Sequence, residues 1–345
     1  MKSERPKPLH RLCGRPMLMY VLDALGACEL DRAAIVVGHK GEWVTKKISE
    51  EEVGFHLEFV EQRVQRGTGD AALIGLVGLP DDPEDGDVVV LPGDTPLLRP
   101  ETVASLVELH RSSDVAATVL TMRLVDPTGY GRVVRGKEDR VARIVEHRDS
   151  SPEERSIQEV NTSIYCFRRS LLAPALRRLA PDNVQGEYYL TDVIAVLSSA
   201  GYVVDSLVVD DPLETAGVND RLQLAVAEAE LRRRTNERLL RSGVTMLDPT
   251  NTFVDTTVEL GRDVTIFPGT LLQGDTVIGD GCEIGPDTRL DDCIIGPNCV
   301  IENSTGRQAR VGAGARVGPY AVLEPGAEIA ADHRTGPFYN SAADG

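Results

Sequence analysis

The stretch VELGRDVTIFPGTLLQGDTVIGDGCEIGPDTRLDDC (residues 258–293) carries an aliphatic side chain at every sixth position: Leu260, Ile266, Leu272, Ile278, Ile284 and Leu290. Gly261, Gly279 and Gly285 directly follow three of them. An aliphatic-Gly-x-x-x-x hexad is the pattern of a parallel β-helix, in which each hexad forms one flat side of a triangular coil and points its aliphatic residue inward. Ile295-Gly296, Val311-Gly312 and Val317-Gly318 resume the pattern after slips. The stretch NSTGRQAR (303–310) interrupts it and is expected to leave one coil as a loop. The coil is expected over residues 244–330, with a polar tail over 331–345.

Upstream the texture changes. RAAIVVG (32–38), DVVVLPGD (87–94), VAATVLTMRL (115–124) and TSIYCF (162–167) read as buried strands rich in Val, Ile and Thr. Helical stretches lie between them, among them 16–28, 67–79 and 99–113. This alternation implies a mostly parallel sheet with helices on both faces. Residues 219–242, NDRLQLAVAEAELRRRTNERLLRS, form one long helical pattern that Gly243 can stop. Leu222, Val226, Ala229, Leu231 and Leu239 make its uneven apolar stripe, and it reads as a linker (219–243) after a first domain over 1–218.

The chain has 345 residues, 41% hydrophobic and 26% charged, enough for two globular domains. A formal net charge of −17 argues against nucleic acid or an anionic membrane as a main partner, and 4% aromatics disfavours a base-stacking surface. No stretch approaches the roughly 20 apolar residues of a membrane span. The start, MKSERPKPLH, has no apolar core of a secretory signal. The six cysteines form no C-x-x-C pair and read as reduced thiols of a cytoplasmic protein.

Several stretches carry chemistry. LPGDTPLL (91–98) places Asp94 just past a buried strand, where α/β sheets bind ligands; it suits Mg²⁺ beside phosphates and equally a turn before Pro96. In EQRVQRGTGDAAL (61–73), Gly67-Thr68-Gly69 precede a helix, and Gln62 offers an amide able to read a base edge. Gly131 in DPTGYGRVVR (126–135) sits in a turn. Glu146 and Asn161 border extended apolar segments and suit sugar hydroxyls, or simply solvent. Lys7 suits a phosphate charge or an exposed surface. GEYYLTD (186–192) leads into a helix that Thr191 or Asp192 is placed to cap.

Taken in order, RPKPLHRLCGRPML, QRGTGDA, GDTPLL, DPTGYGRVVR, IVEHRD, IQEVNTSIY, NVQGEYYLTDVI and GVNDRLQL resemble the bacterial bifunctional N-acetylglucosamine-1-phosphate uridyltransferase/glucosamine-1-phosphate acetyltransferase family. The hexads continue the likeness to about residue 330. The resemblance implies a Rossmann-like, GT-A-like α/β nucleotidyltransferase domain with a mixed sheet, followed by a short left-handed parallel β-helix. It implies uridylyl transfer from UTP to N-acetylglucosamine 1-phosphate for cell-wall precursor synthesis, and a homotrimer. By matching motifs, Asp94 and Asn219 would hold Mg²⁺ and Lys7 would contact the UTP phosphates. Gln62, Gly67 and Thr68 would read uracil. Gly131, Glu146, Asn161 and Tyr189 would hold the sugar, with Thr191 close by.

The sequence departs from that family at both ends. The family opens with a strand and a loop of the form L-A-A-G-x-G-T-R-M, and this chain starts at the final Met. The first strand and the Gly-rich phosphate loop are therefore expected to be missing, through a start codon placed too late or a fragmentary gene. At the other end, Glu324-Pro325-Gly326 stands where the family has Arg-Pro-Gly, and acetyltransferase activity is expected to be absent. Pro92, Arg148 and Ser163 replace the family's usual Tyr, Lys and Gly. Two other readings stay open: a nucleotidyltransferase for another hexose 1-phosphate, and a non-catalytic trimeric β-helix scaffold.

Overall fold

The computed structural model describes residues 1–80 and 85–342. They divide into two compact units, Met1–His10 with Met17–Asn219, and Arg11–Pro16 with Asp220–Gly345. The last three residues of the expected tail lie outside the described residues.

The first unit is built on strands β1 (Arg32–Val37), β2 (His56–Glu61), β3 (Asp87–Val90), β4 (Ala117–Arg123), β5 (Arg132–Arg135), β6 (Val141–Val145), β7 (Glu159–Arg168) and β8 (Val204–Val209). Its main helices are α1 (Met17–Ala24), α2 (Gly41–Ile48), α3 (Thr68–Gly78), α4 (Pro100–Ser112), α5 (Arg169–Leu176) and α6 (Asp192–Ser199). Six strands form one sheet in the order β8-β4-β7-β5-β6, with β3 also on β7. The sheet is mixed rather than mostly parallel: β8 and β4 run parallel, while the long β7 runs antiparallel to β3, β4 and β5. Alternation of strand and helix misses this because β5, β6 and β7 follow one another with only two short helical turns, Lys137–Asp139 and Pro152–Arg155, among them.

The sheet is covered on both faces, as its continuous apolar runs require. Val89 packs with Met19, Leu22, Leu106 and Ile164, whereas its neighbours Val88 and Val90 pack with Tyr165, Phe167 and Ile194. Among the described residues, β1 is paired only with β2, and β3 only with β7. One edge of each is thus without a ladder. Every residue of β3 is only half-buried, and so are Ala33–Val36 of β1.

The second unit opens with α7 (Arg221–Arg241), whose N-terminus is capped by the Asp220 carboxylate accepting from the Gln223 N–H at 2.8 Å. Its buried face is the i, i+4 series Ala227, Leu231, Thr235 and Leu239, with Asn236 beside it. The expected stripe is wrong in its first three residues, for Leu222 and Val226 are exposed at 75% and 47% and Ala229 is exposed too. Asn236 is buried because its amide donates to the carbonyls of Pro249 (2.8 Å) and Thr252 (3.0 Å), a use of helix surface that hydrophobicity does not register.

Beyond α7 three parallel five-stranded sheets form the left-handed β-helix. Their inward columns are Met246-Ile266-Ile284-Ile301-Val317, Val254-Leu272-Leu290-Gly306-Leu323 and Leu260-Ile278-Ile295-Val311-Ile329. Each aliphatic residue so buried contributes roughly 1.5–3 kcal/mol. Thr270 and Thr276 sit buried at the corners, each donating to a backbone carbonyl at 2.7 Å.

Residues 303–310 do not leave the coil. Thr305–Arg307 is a rung paired with 289–291 below and 322–323 above, and Gly306 occupies the inward position. A Cβ there would stand 3.1 Å from Leu290 Cδ2 and 3.3 Å from Cys293 Sγ, so neighbouring side chains already fill the space. The ladder also runs past Ile329, with bridges from Arg316 to Arg334 and from Val322 to Asn340. Phe338 stacks on Tyr320 at 5.2 Å. No helix among the described residues is long and apolar enough to cross a membrane.

Candidate functional site

Three groups of the first unit bring together residues distant in sequence. In the first, the loop after β3 carries Asp94. The Lys7 ammonium donates to the Asp94 carboxylate and to Asn219 Oδ1 (2.6 Å). The Val218 N–H donates to the Asp94 carbonyl at 2.9 Å, fixing the segment that bears Asn219 against that loop. A Cβ on Gly217 would lie 3.6 Å from Asp94 Oδ1, so this glycine borders the same space. Two oxygen donors therefore converge on one cationic centre. That donor set, a carboxylate and an amide carbonyl, is what Mg²⁺ takes when water and phosphate complete its shell.

The second group joins the loop before α3 to GEYYLTD. The Gly69 N–H donates to the Tyr188 carbonyl (2.7 Å), and the Tyr188 N–H to the Arg66 carbonyl (2.8 Å). Gly67 adopts φ +112°, and a Cβ there would meet the Tyr188 carbonyl at 2.5 Å, so only glycine allows this approach. Thr68 Oγ1 accepts from the Leu190 N–H at 3.0 Å. Gln62 Nε2 donates to Asp70 Oδ2 at 2.8 Å, which orients the amide. Asp70 was not singled out in the sequence; its place in the first turn of a helix after G-T-G was the available signal.

The third group surrounds Glu146. Thr191 does not cap α6, for its own backbone is already helical; its hydroxyl donates to Glu146 Oε1 at 3.1 Å. A Cβ on Gly131 would lie 3.5 Å from the same oxygen. The Gly131 carbonyl accepts from the Asn161 N–H at 2.9 Å. Asn161 Nδ2 donates to the buried Tyr165 hydroxyl at 2.7 Å, and its Oδ1 accepts from the Ser163 N–H at 3.1 Å. Asn161 and Tyr165 meet across an irregularity of β7 that holds Ser163 in a left-handed conformation, which plain period-two alternation does not register. Burial pushes the Glu146 carboxyl above the usual carboxylate range, with Asp192 and Asp149 adding to the rise and the Thr191 bond opposing it. Tyr189 is buried, and desolvation raises its phenol, as do Asp149 and Glu146. This group thus combines a carboxylate, an amide and two phenols around one backbone glycine.

A mixed α/β sheet bearing a carboxylate-amide-lysine centre, a glycine loop and a polar pocket is the frame of a nucleotidyltransferase. Residues 2–212 match the nucleotidyl transferase family. The chain is 42% identical to the bifunctional protein GlmU of Heliobacterium modesticaldum over 98% of its length, covering 72% of that protein. It is 44% identical to the bifunctional protein GlmU of Mycobacterium ulcerans and to that of Mycobacterium tuberculosis, again over 98% of its length, covering 69% and 68% of those proteins. The chain belongs to the GlmU family.

Proposed function

We propose that the first unit transfers a uridylyl group from UTP to N-acetylglucosamine 1-phosphate, giving UDP-N-acetylglucosamine and pyrophosphate. A phosphate oxygen of the sugar phosphate attacks the α-phosphorus in line, and the bond from that phosphorus to the bridging oxygen of pyrophosphate breaks. Such transfer depends mostly on positioning and charge neutralisation. The observation that carries the reading is the convergence of Asp94 and Asn219 on the Lys7 ammonium.

Asp94 and Asn219 would hold Mg²⁺, which supplies Lewis-acid charge neutralisation at the phosphates. Lys7, released from its two acceptors, then serves the phosphates as a point charge. Gln62, with Gly67 and Thr68, reads the uracil edge. Glu146 and Asn161 take the sugar hydroxyl and acetamido groups beside the Gly131 backbone, and Tyr189 walls the pocket with Thr191 behind Glu146. The second unit assembles the protein as a homotrimer, and Glu324 disfavours a sugar phosphate on the coil, so no acetyl transfer from acetyl-CoA to glucosamine 1-phosphate takes place.

Pyrophosphate release from UTP, Mg²⁺ and N-acetylglucosamine 1-phosphate tests the reading, on this chain and on one extended upstream by a strand and a Gly-rich loop. Turnover by the extended chain is the expected result. Folded proteins that both fail to turn over would sink it in favour of a scaffold. A second reading, another hexose 1-phosphate as acceptor, is favoured by one observation: Ser163, in a left-handed conformation (φ +64°), presents a hydroxyl 3.5 Å from the Asn161 amide. A panel of sugar phosphates separates the two.

A further inference from the structure

Arg132 is only 1% exposed and heads the largest fully buried side chains of the described residues. A buried cation is ordinarily paired with a carboxylate. Among the described residues Arg132 makes no such bond. One terminal nitrogen donates to the Tyr130 carbonyl, and the other to Nδ1 of His147 at 3.3 Å. Its Nε has no partner among the described residues. Burial disfavours the charged guanidinium most, Arg155 adds to that, and Asp126 opposes it. Because arginine stays protonated, Nδ1 must be the acceptor, and the imidazole carries its proton on Nε2.

Both acceptors adjoin groups of the sugar pocket. Tyr130 precedes Gly131, whose carbonyl is held by the Asn161 N–H. His147 follows Glu146, and its own carbonyl accepts from the Ser150 hydroxyl at 2.8 Å. The guanidinium therefore spans the start of β5 and the loop after β6, each one residue from a group that faces the pocket.

We propose that Arg132 is a positioning residue for the sugar end of the site: by bridging the Tyr130 carbonyl and His147 Nδ1, it sets the separation of Gly131 and Glu146. The proposal rests on the sugar-phosphate reading above. It accounts for a costly buried charge by a task that a carboxylate partner would prevent, since a carboxylate would draw the guanidinium away from two neutral acceptors.

Calorimetric titration of this chain with N-acetylglucosamine 1-phosphate and, separately, with UTP tests it, alongside His147→Leu, His147→Asn and Arg132→Met. His147→Leu removes the acceptor and is expected to weaken sugar-phosphate binding about ten-fold, with UTP binding changed by less than about two-fold. His147→Asn, whose Oδ1 replaces Nδ1, is expected to restore most of the loss. Arg132→Met should match His147→Leu, and the double variant should lose no more than either. Should Arg132→Met fail to fold, the His147 pair still decides. Sugar-phosphate binding unchanged in His147→Leu, or lost equally with UTP binding, overturns the proposal alone. A wild-type protein that binds UTP but no sugar phosphate overturns the functional reading and the proposal together.

Discussion

Glu146 shows how a residue can serve a site at a cost to the fold. Its acid is raised by burial, so the folded protein holds the proton more tightly than the unfolded chain does. Ionised Glu146 therefore costs stability at neutral pH, and that cost fades as pH falls through the raised value. Glu146→Gln keeps an acceptor for Thr191 and removes the charge. It is expected to raise stability at pH 7 by less than about 1 kcal/mol, while the KM for sugar phosphate rises about ten-fold. In the wild type, that KM should begin to rise on acidification while the pH is still above 4.5, the ordinary value of a glutamic acid. Thermal melts with steady-state kinetics across pH check both signs, and a KM flat with pH would remove Glu146 from the pocket. Ser163 makes the complementary case. A non-glycine residue at φ +64° carries about 1–2 kcal/mol of strain, so Ser163→Gly is expected to stabilise by up to about 1 kcal/mol. The ratio of kcat/KM between N-acetylglucosamine 1-phosphate and other hexose phosphates should shift with it. An unchanged ratio would place the hydroxyl outside recognition. The sequence made Glu146 and Asn161 candidates by their place beside apolar strands, and matching motifs added Lys7 and Asn219. Matching motifs also set Thr191 close to the sugar, but the residue pattern alone reads it as a helix cap, and only the folded chain shows its hydroxyl turned to Glu146.

At the scale of elements, legibility followed periodicity. The coil was plain in the sequence from Leu260 to Leu290 because each inward position is aliphatic and evenly spaced. It was lost at 303–310 because Gly306 gives no hydrophobic signal and the spacing contracts on both sides of it. The same reasoning explains α7, where Asn236 is buried for its amide's hydrogen bonds, with Thr235 buried beside it, and Leu222 is not buried at all. In the first unit, four of the eight strands (β1, β3, β4 and β7) were legible and their directions were not, since a run of valines reads alike in either direction. Gly306 yields a prediction at this scale. Restoring the hexad rule with Gly306→Leu places a side chain against Leu290, Cys293 and Leu323, where a Cβ alone is already tight. Overpacking of this kind costs about 1–3 kcal/mol, so the substitution that improves the sequence pattern should weaken the coil. Urea unfolding followed by far-ultraviolet circular dichroism measures it, and a gain in stability would mean that the coil expands locally.

The whole molecule contains separate cores. The coil's apolar cluster runs from Leu239 to Ile329, and the two clusters of the first unit draw on residues from Leu9 to Val209. Separate cores need not unfold together, and a single two-state transition is not the expectation. The first unit carries the weaker features: one unladdered edge on β1, another on β3, and strands whose apolar side chains are half-buried. Ile35 of β1 and Val89 of β3 border the same cluster, so one additional strand pairing with both edges would bury them at once. Two urea transitions are therefore expected, with the first unit melting at the lower concentration. UTP should move only that first transition, because a ligand stabilises the unit that binds it. An upstream extension that supplies a strand should move the same transition to higher urea and leave the coil's midpoint in place. Tyrosine fluorescence reports mainly on the first unit and circular dichroism on both, so the two probes should separate. A single coincident transition would show the units to be energetically coupled. An extension that leaves both midpoints unchanged would show that the open edges of β1 and β3 take up no added strand.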